Sequence, residues 1–291
     1  MINYLKRVAR AVFNRPDPIQ VVEKHIYSTD KEYLIKVNEK RFMNQVAIIT
    51  GASGCLGGAI AWRLALEGAK VYLIGRNYEK LNELADKMEQ AGCSGVPLVL
   101  DATNELEIDK TISMIFDKEK HIDILVNCAG GGTREKCMPL VDQNIELIDQ
   151  ILNINLRGSL LFTRSVGKYM RETQYGRIVN ISSVIGERGK AQYSEYAAAK
   201  AGIVGYTKSV AQELGRYNIT VNCVSPGFIQ RGTYSDDQMF YLLNSNYMNR
   251  VGSPEDVASA VAFVASGESG FITGQNLCVD GGRSLGLHGD K

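Results

Sequence analysis

The chain has 291 residues, 45% hydrophobic and 22% charged, with 29 Gly, 6 Pro and a formal net charge of +1. That is the composition of a globular protein long enough for one large domain or two small ones. The near-neutral charge makes no electrostatic case for nucleic acid, and no apolar run approaches the roughly 18 residues of a membrane span.

Six cysteines (Cys55, Cys93, Cys128, Cys137, Cys223, Cys278) are scattered without a CxxC pair, and His25, His121 and His288 lie far apart. Neither a disulfide framework nor a metal site is expected; reduced thiols and a cytoplasmic location are.

Residues 1–41 read as an N-terminal extension. Ile2, Leu5, Val8, Ala9, Val12 and Phe13 recur at helical spacing among Lys6, Arg7, Arg10 and Arg15, and Pro16 and Pro18 end the pattern. Packing on its own domain is the favoured reading of this basic amphipathic helix. Membrane-surface contact, targeting and packing on a partner subunit are the alternatives. The arm at 20–37 has no readable role.

From Gln45 onward short apolar runs alternate with helical patterns. Strands are predicted at 46–49, 70–74, 96–100, 122–126, 177–181, 220–224 and 275–279. Helices are predicted from the glycine cluster to 66 and at 79–90, 105–118, 157–172, 194–216 and 254–265. This alternation describes an α/β fold, a parallel sheet covered by helices on both faces, and no linker divides it. A single domain over 42–291 is therefore expected.

The first strand runs into Thr50-Gly51-Ala52-Ser53-Gly54-Cys55-Leu56-Gly57-Gly58 and then a helix. Glycines there let backbone approach a pyrophosphate at a helix N-terminus, the arrangement of a dinucleotide site. At the end of the second strand an acid would bind the ribose hydroxyls, but Gly75 and Arg76 stand there. A cation suits a 2′-phosphate, so NADP(H) is favoured over NAD(H). Asp101, past the third strand, suits the adenine amine or a helix cap. Further on, Tyr196 and Lys200 stand four residues apart and share a helix face. An ammonium beside the ring favours phenolate, which makes Tyr196 a general acid/base, and Ser183 could bind the same substrate oxygen.

In this order the chain resembles the short-chain dehydrogenase/reductase family over about residues 42–283. The matching motifs are TGASGCLG (50–57), Asp101, NCAG (127–130), Asn155 within NINLRG and IVNISS with Ser183. YAAAK, VNCVSPG (221–227) and ITGQNLCVDGG (272–282) follow. The resemblance implies a single-domain Rossmann fold, a doubly wound sheet of about seven strands, and a catalytic tetrad. Tyr196 would exchange the proton, Ser183 would hold the substrate oxygen, and Lys200 would bind the nicotinamide ribose. Asn155 would anchor a water leading from Lys200 to solvent. Cofactor contacts would come from Thr50, Gly51, Ser53, Gly54, Cys55, Leu56, Gly57, Arg76, Asp101 and Ala102. Asn127, Ala129, Gly130, Tyr196, Lys200, Pro226, Gly227 and Ile229 would complete them.

Two departures stand out. Cys55 occupies the place of a glycine in the usual TGxxxGxG, and Arg231 replaces a common threonine two residues after Ile229. The core looks most like 3-oxoacyl carrier-protein reductases, with sugar or polyol dehydrogenase as the alternative. The alternative of another class is a dinucleotide-binding regulatory or structural subunit. The substrate is a small carbonyl or alcohol, covered by the loop 230–250. A homodimer or homotetramer is implied, and Arg171, Arg177 and Arg216 are candidate contacts for an acyl carrier protein.

Overall fold

The computed structural model describes residues 40–131 and 137–285. The predicted basic helix and arm of the extension lie outside the described residues. Seven parallel strands form one sheet in the order β3-β2-β1-β4-β5-β6-β7. They are β1 (Val46–Thr50), β2 (Lys70–Gly75), β3 (Ser94–Val99), β4 (Ile124–Asn127), β5 (Gly176–Ile181), β6 (Ile219–Pro226) and β7 (Asn276–Val279). The order reverses between β1 and β4, which opens a crevice beyond the C-terminal ends of those strands.

Side-chain alternation along the strands builds two cores. Ala47, Ile49, Val71 and Leu73 face α1 (Cys55–Leu66), α2 (Tyr78–Gln90) and a helix near the C-terminus, Pro254–Ala265. Val46, Ile48, Tyr72 and Ile74 face α3 (Glu105–Glu119) and two long helices, Gly158–Thr173 and Ser194–Leu214. The chain joins this body at Arg41, whose guanidinium donates to both oxygens of Glu67 at 2.5 and 2.9 Å. Glu67 is buried at the end of α1 and also takes Arg63, so its charge is compensated twice.

Three helices were not expected from the sequence. They are α4 (Ile145–Leu152), α6 (Val184–Arg188) and α8 (Asp236–Leu243). α4 passes through a turn of π-helix, Asn153–Arg157, into α5 (Gly158–Thr173). All three are too short to form without docking and caps. Asn144, Ser183 and Ser235 supply those caps by accepting from backbone N–H groups. The long helix α7 (Ser194–Leu214) and α9 (Pro254–Ala265) stand close to their predicted spans. Arg177 is corrected as a carrier-protein contact. It is 4% exposed, donates to the Gly176 and Asn218 carbonyls, and packs over the Tyr175 ring.

The start of α9 gives a pH-dependent prediction. Ser253 and Asp256 form a capping box, and Arg250 grips the Asp256 carboxylate at 2.6 and 2.7 Å. Burial works to raise the Asp256 carboxyl, but Arg250 and the Ser253 N–H outweigh it and hold it below the ordinary value. A depressed folded-state value contributes stability above the ordinary carboxylate range, and that contribution is lost as pH falls through it. Asp256→Asn is expected to cost about 1 kcal/mol at neutral pH, screened because Arg250 is half-exposed. Thermal unfolding from pH 7 downward should show the gap to wild type closing; a gap independent of pH would contradict it.

Candidate active site

A cleft of about 1160 Å³ opens at the C-terminal ends of the strands. Every residue nominated from the sequence lines it except Asn127 and Asn155. Its floor is the β1–α1 turn. Gly51 has φ +71°, and a Cβ on Gly57 would lie 2.2 Å from the Gly51 oxygen. Glycine is therefore required at 51 by conformation and at 57 by close approach. Gly54, with φ −94°, is not so constrained, and Cys55 is the first helical residue of α1. The cradle thus survives the change at position 55. Gly54 gives α1 no side-chain cap, and the first turn carries no acid, so that helix end is open to an anion. These features fit a dinucleotide.

At the adenosine end a Cβ on Gly75 would come 2.8 Å from Ser53 Oγ, so a side chain there would require the Ser53 hydroxyl to turn aside. Arg76 stands exposed on the cleft wall. Hydrogen bonds from the Thr103 N–H and hydroxyl, with Arg76 nearby, hold the Asp101 carboxyl below its ordinary value. The cap of α3 is Asn104, so the helix-cap reading of Asp101 does not hold.

The wall after β4 is pinned by Thr50, whose Oγ1 accepts from the Cys128 and Ala129 N–H groups at 3.0 Å each. The Asn127 side chain lies behind this wall and does not line the cleft. Its amide nitrogen points into the core and donates to Thr163 Oγ1 at 2.9 Å and Asn180 Oδ1 at 2.8 Å. Asn155 is fully buried, and its amide is also committed. Its Oδ1 accepts from Gly131 N at 2.9 Å, while Nδ2 donates to the Gly131 and Ile151 carbonyls at 3.1 Å. Gly130 lies against it with φ +138°, and a Cβ there would stand 2.4 Å from Asn155 Oδ1. The Asn155 side chain therefore shapes the Gly130–Gly131 wall.

Facing this wall, Ser183, Tyr196 and Lys200 line the cleft together. Lys200 is 5% exposed; its Nζ donates to the Ile181 carbonyl at 2.9 Å and stands 5.7 Å from the Tyr196 ring centre. The two adjacent serines are distinguished by their bonds. Ser182 Oγ donates its proton to the Lys200 carbonyl at 2.7 Å. Ser183 Oγ instead accepts from Ile185 N at 3.2 Å, which leaves its own proton to donate to a ligand oxygen. Gly186 completes this packing, since a Cβ there would lie 2.7 Å from the Lys200 carbonyl carbon. The sequence reading missed Gly186 and the lining residues Arg188, Lys190 and Tyr193. Their place between Ser183 and Tyr196 was the available signal.

Burial pushes the Cys128 thiol up to about 11 and raises Cys55 as well, so neither is a thiolate nucleophile at neutral pH. Among the described residues no cluster of three His, Cys, Asp or Glu side chains could hold a metal ion. No described helix is long and apolar enough to cross a membrane.

A family model described as enoyl-(acyl carrier protein) reductase matches residues 51–284. The 3-oxoacyl-[acyl-carrier-protein] reductase FabG of Rickettsia bellii is 39% identical over 241 residues, covering 82% of this chain and 96% of the relative. FabG of Escherichia coli is 36% identical over 244 residues, covering 83% and 98%. BbsD of Thauera aromatica, a subunit of (2S)-[(R)-hydroxy(phenyl)methyl]succinyl-CoA dehydrogenase, is 39% identical over 246 residues, covering 83% and 97%. Among solved structures, one assigned as a gluconate dehydrogenase from Agrobacterium tumefaciens superimposes with a TM-score of 0.81. It is 26% identical and covers 84% of this chain and 98% of its own. The chain belongs to the short-chain dehydrogenase/reductase family. It is an oxidoreductase of the CH–OH/C=O class, in a family that uses NAD(P).

Proposed function

We propose that this protein is an NADPH-dependent ketoreductase of 3-oxoacyl-type substrates. The observation that carries the chemistry is the convergence of Ser183, Tyr196 and Lys200 on the cleft whose floor is the glycine cradle. A bound nicotinamide dinucleotide supplies the hydride. Ser183 donates a hydrogen bond to the substrate carbonyl oxygen, keeping its own proton, and stabilises the charge that develops there. Tyr196 delivers a proton to that oxygen from its phenol, and the Lys200 ammonium faces the phenolate that results. Lys200 is held for this role by the Ile181 carbonyl. Asn155 acts at one remove, by fixing the Gly130–Gly131 backbone.

The 3-oxoacyl reading is supported by the names of the FabG relatives. A sugar-acid dehydrogenase is the second reading, favoured by the gluconate dehydrogenase likeness and by the polar rim of Tyr241, Asn244 and Ser245. On this chain Arg171 and Arg216 bracket the Tyr217 ring at the far ends of α5 and α7, away from the cleft, and do not border its mouth. A second copy of the chain is the proposed cover for edge strand β7, where Phe271, Phe263 and Leu277 are exposed.

Initial rates with 3-oxoacyl thioesters, sugar acids and polyols, each with both cofactors, test the reading. The largest kcat/KM is expected for a 3-oxoacyl thioester with NADPH; no thioester reduction would overturn it. Cofactor choice rests on Arg76. Arg76→Ala is expected to weaken NADPH binding about 10- to 100-fold and NADH binding by less than about twofold. Equal losses in a fluorescence titration would remove the 2′-phosphate assignment.

A further inference from the structure

The two departures from the family pattern, Cys55 and Arg231, meet in the folded chain. After β6 the backbone is pinned at Ile229, which is buried and bridged in parallel to Gly252. Gln230 N donates to the Gly252 carbonyl at 2.8 Å. This anchoring carries the Gln230 carbonyl over the first residue of α1, where Cys55 Sγ lies 3.9 Å from it. The cysteine side chain is thus turned toward the crossing segment.

Arg231 is the next residue and lines the cleft together with Cys55 and Cys128. Those thiols stand on different walls, one on α1 and one after β4, and the Arg231 charge reaches both. Its backbone N–H donates to the Tyr234 hydroxyl at 3.3 Å, which holds the loop without using the guanidinium. Among the described residues no carboxylate pairs with that guanidinium. Between the same two walls lies the uncapped, acid-free N-terminus of α1 above Gly51 and Gly57.

We propose that Arg231 is a ligand of the cofactor's diphosphate, adding a cationic fork to the backbone donors of the glycine cradle. The proposal rests on the dinucleotide reading given above. A guanidinium matches two phosphate oxygens at once, whereas a lysine offers only a point charge. The chain would then bind the diphosphate from both sides, with α1 below and the β6 loop above. Arg231 is exposed, so its replacement does not threaten folding.

The test titrates wild type, Arg231→Ala and Arg231→Lys with NADPH, ADP-ribose and adenosine 2′,5′-bisphosphate by calorimetry. ADP-ribose keeps the diphosphate and lacks the nicotinamide; the bisphosphate lacks the bridge. Arg231→Ala is expected to weaken NADPH and ADP-ribose alike, about 10- to 100-fold, with Arg231→Lys between. Bisphosphate affinity should stay within about twofold, and the loss should shrink as salt rises. Wild-type affinities retained by Arg231→Ala overturn the proposal, and a raised KM for the carbonyl substrate alone assigns Arg231 to substrate instead. Wild-type protein that binds neither NADPH nor ADP-ribose overturns the dinucleotide reading itself.

Discussion

Tyr196→Phe is expected to lower kcat by about 10²- to 10⁴-fold, the usual share of a positioned general acid. Binding of NADPH should change by less than about twofold, because the substitution removes one hydroxyl and keeps the ring beside Lys200. The neighbouring anchors do not involve that hydroxyl: Lys200 Nζ holds the Ile181 carbonyl and Ser182 holds the Lys200 carbonyl. Single-turnover rates measured beside cofactor titrations separate the two quantities. Turnover within tenfold of wild type would remove Tyr196 from the proton path. A parallel loss of cofactor binding would make its role positional.

Gly57→Ala should have the second large effect, and on a different property. The added methyl would stand 2.2 Å from the Gly51 oxygen and 2.6 Å from its carbon, both backbone atoms that no rotamer change can move. Either α1 shifts away from β1 or the Gly51 turn opens. Overpacking of this kind costs about 1–3 kcal/mol, a fall of roughly 2–12 °C in Tm for a domain of this size. The same displacement spoils the anion cradle, so NADPH affinity is expected to fall more than about 100-fold. Gly54→Ala is the control, since its contact of 3.3 Å with the Gly51 oxygen needs only a small adjustment. Equal affinities for the two variants would show that the cradle does not depend on this approach.

The contrast between these glycines marks where sequence reading stopped. In the sequence Gly51, Gly54 and Gly57 stand as equal members of one glycine cluster. In the fold, 51 and 57 are the constrained positions and 54 is an ordinary N-cap. The paired serines show the same limit. Ser182 and Ser183 are adjacent at the end of one apolar strand, and nothing local distinguishes their hydroxyls. Their difference in bonding comes from a partner eighteen residues away, the Lys200 carbonyl, which accepts the Ser182 hydrogen bond.

Asn127 and Asn155 were read as site residues because of the motifs that hold them. Motifs report which residues travel together, not which way a side chain points. Asn127 turns to Thr163 and Asn180, 36 and 53 residues distant, and Asn155 turns to the Gly131 peptide. Each satisfies buried polar groups whose unmet cost would exceed that of a lost surface contact. The short helices α4, α6 and α8 escaped for a related reason, because caps and docking stabilise them rather than any run of apolar periodicity.

By itself the sequence determined the parallel α/β sheet, the glycine turn between β1 and α1, and the pairing of Tyr196 with Lys200. Each of these is local, set by strand-length apolar runs, by glycine's backbone freedom and by the helical repeat. Only the tertiary structure decided which serine hydroxyl is already engaged by a carbonyl and where the Asn127 and Asn155 side chains point. It also decided that Cys55 and Arg231, 176 positions apart in the chain, stand at one helix end. Those outcomes depend on hydrogen bonds and close approaches between distant segments, which no local pattern encodes.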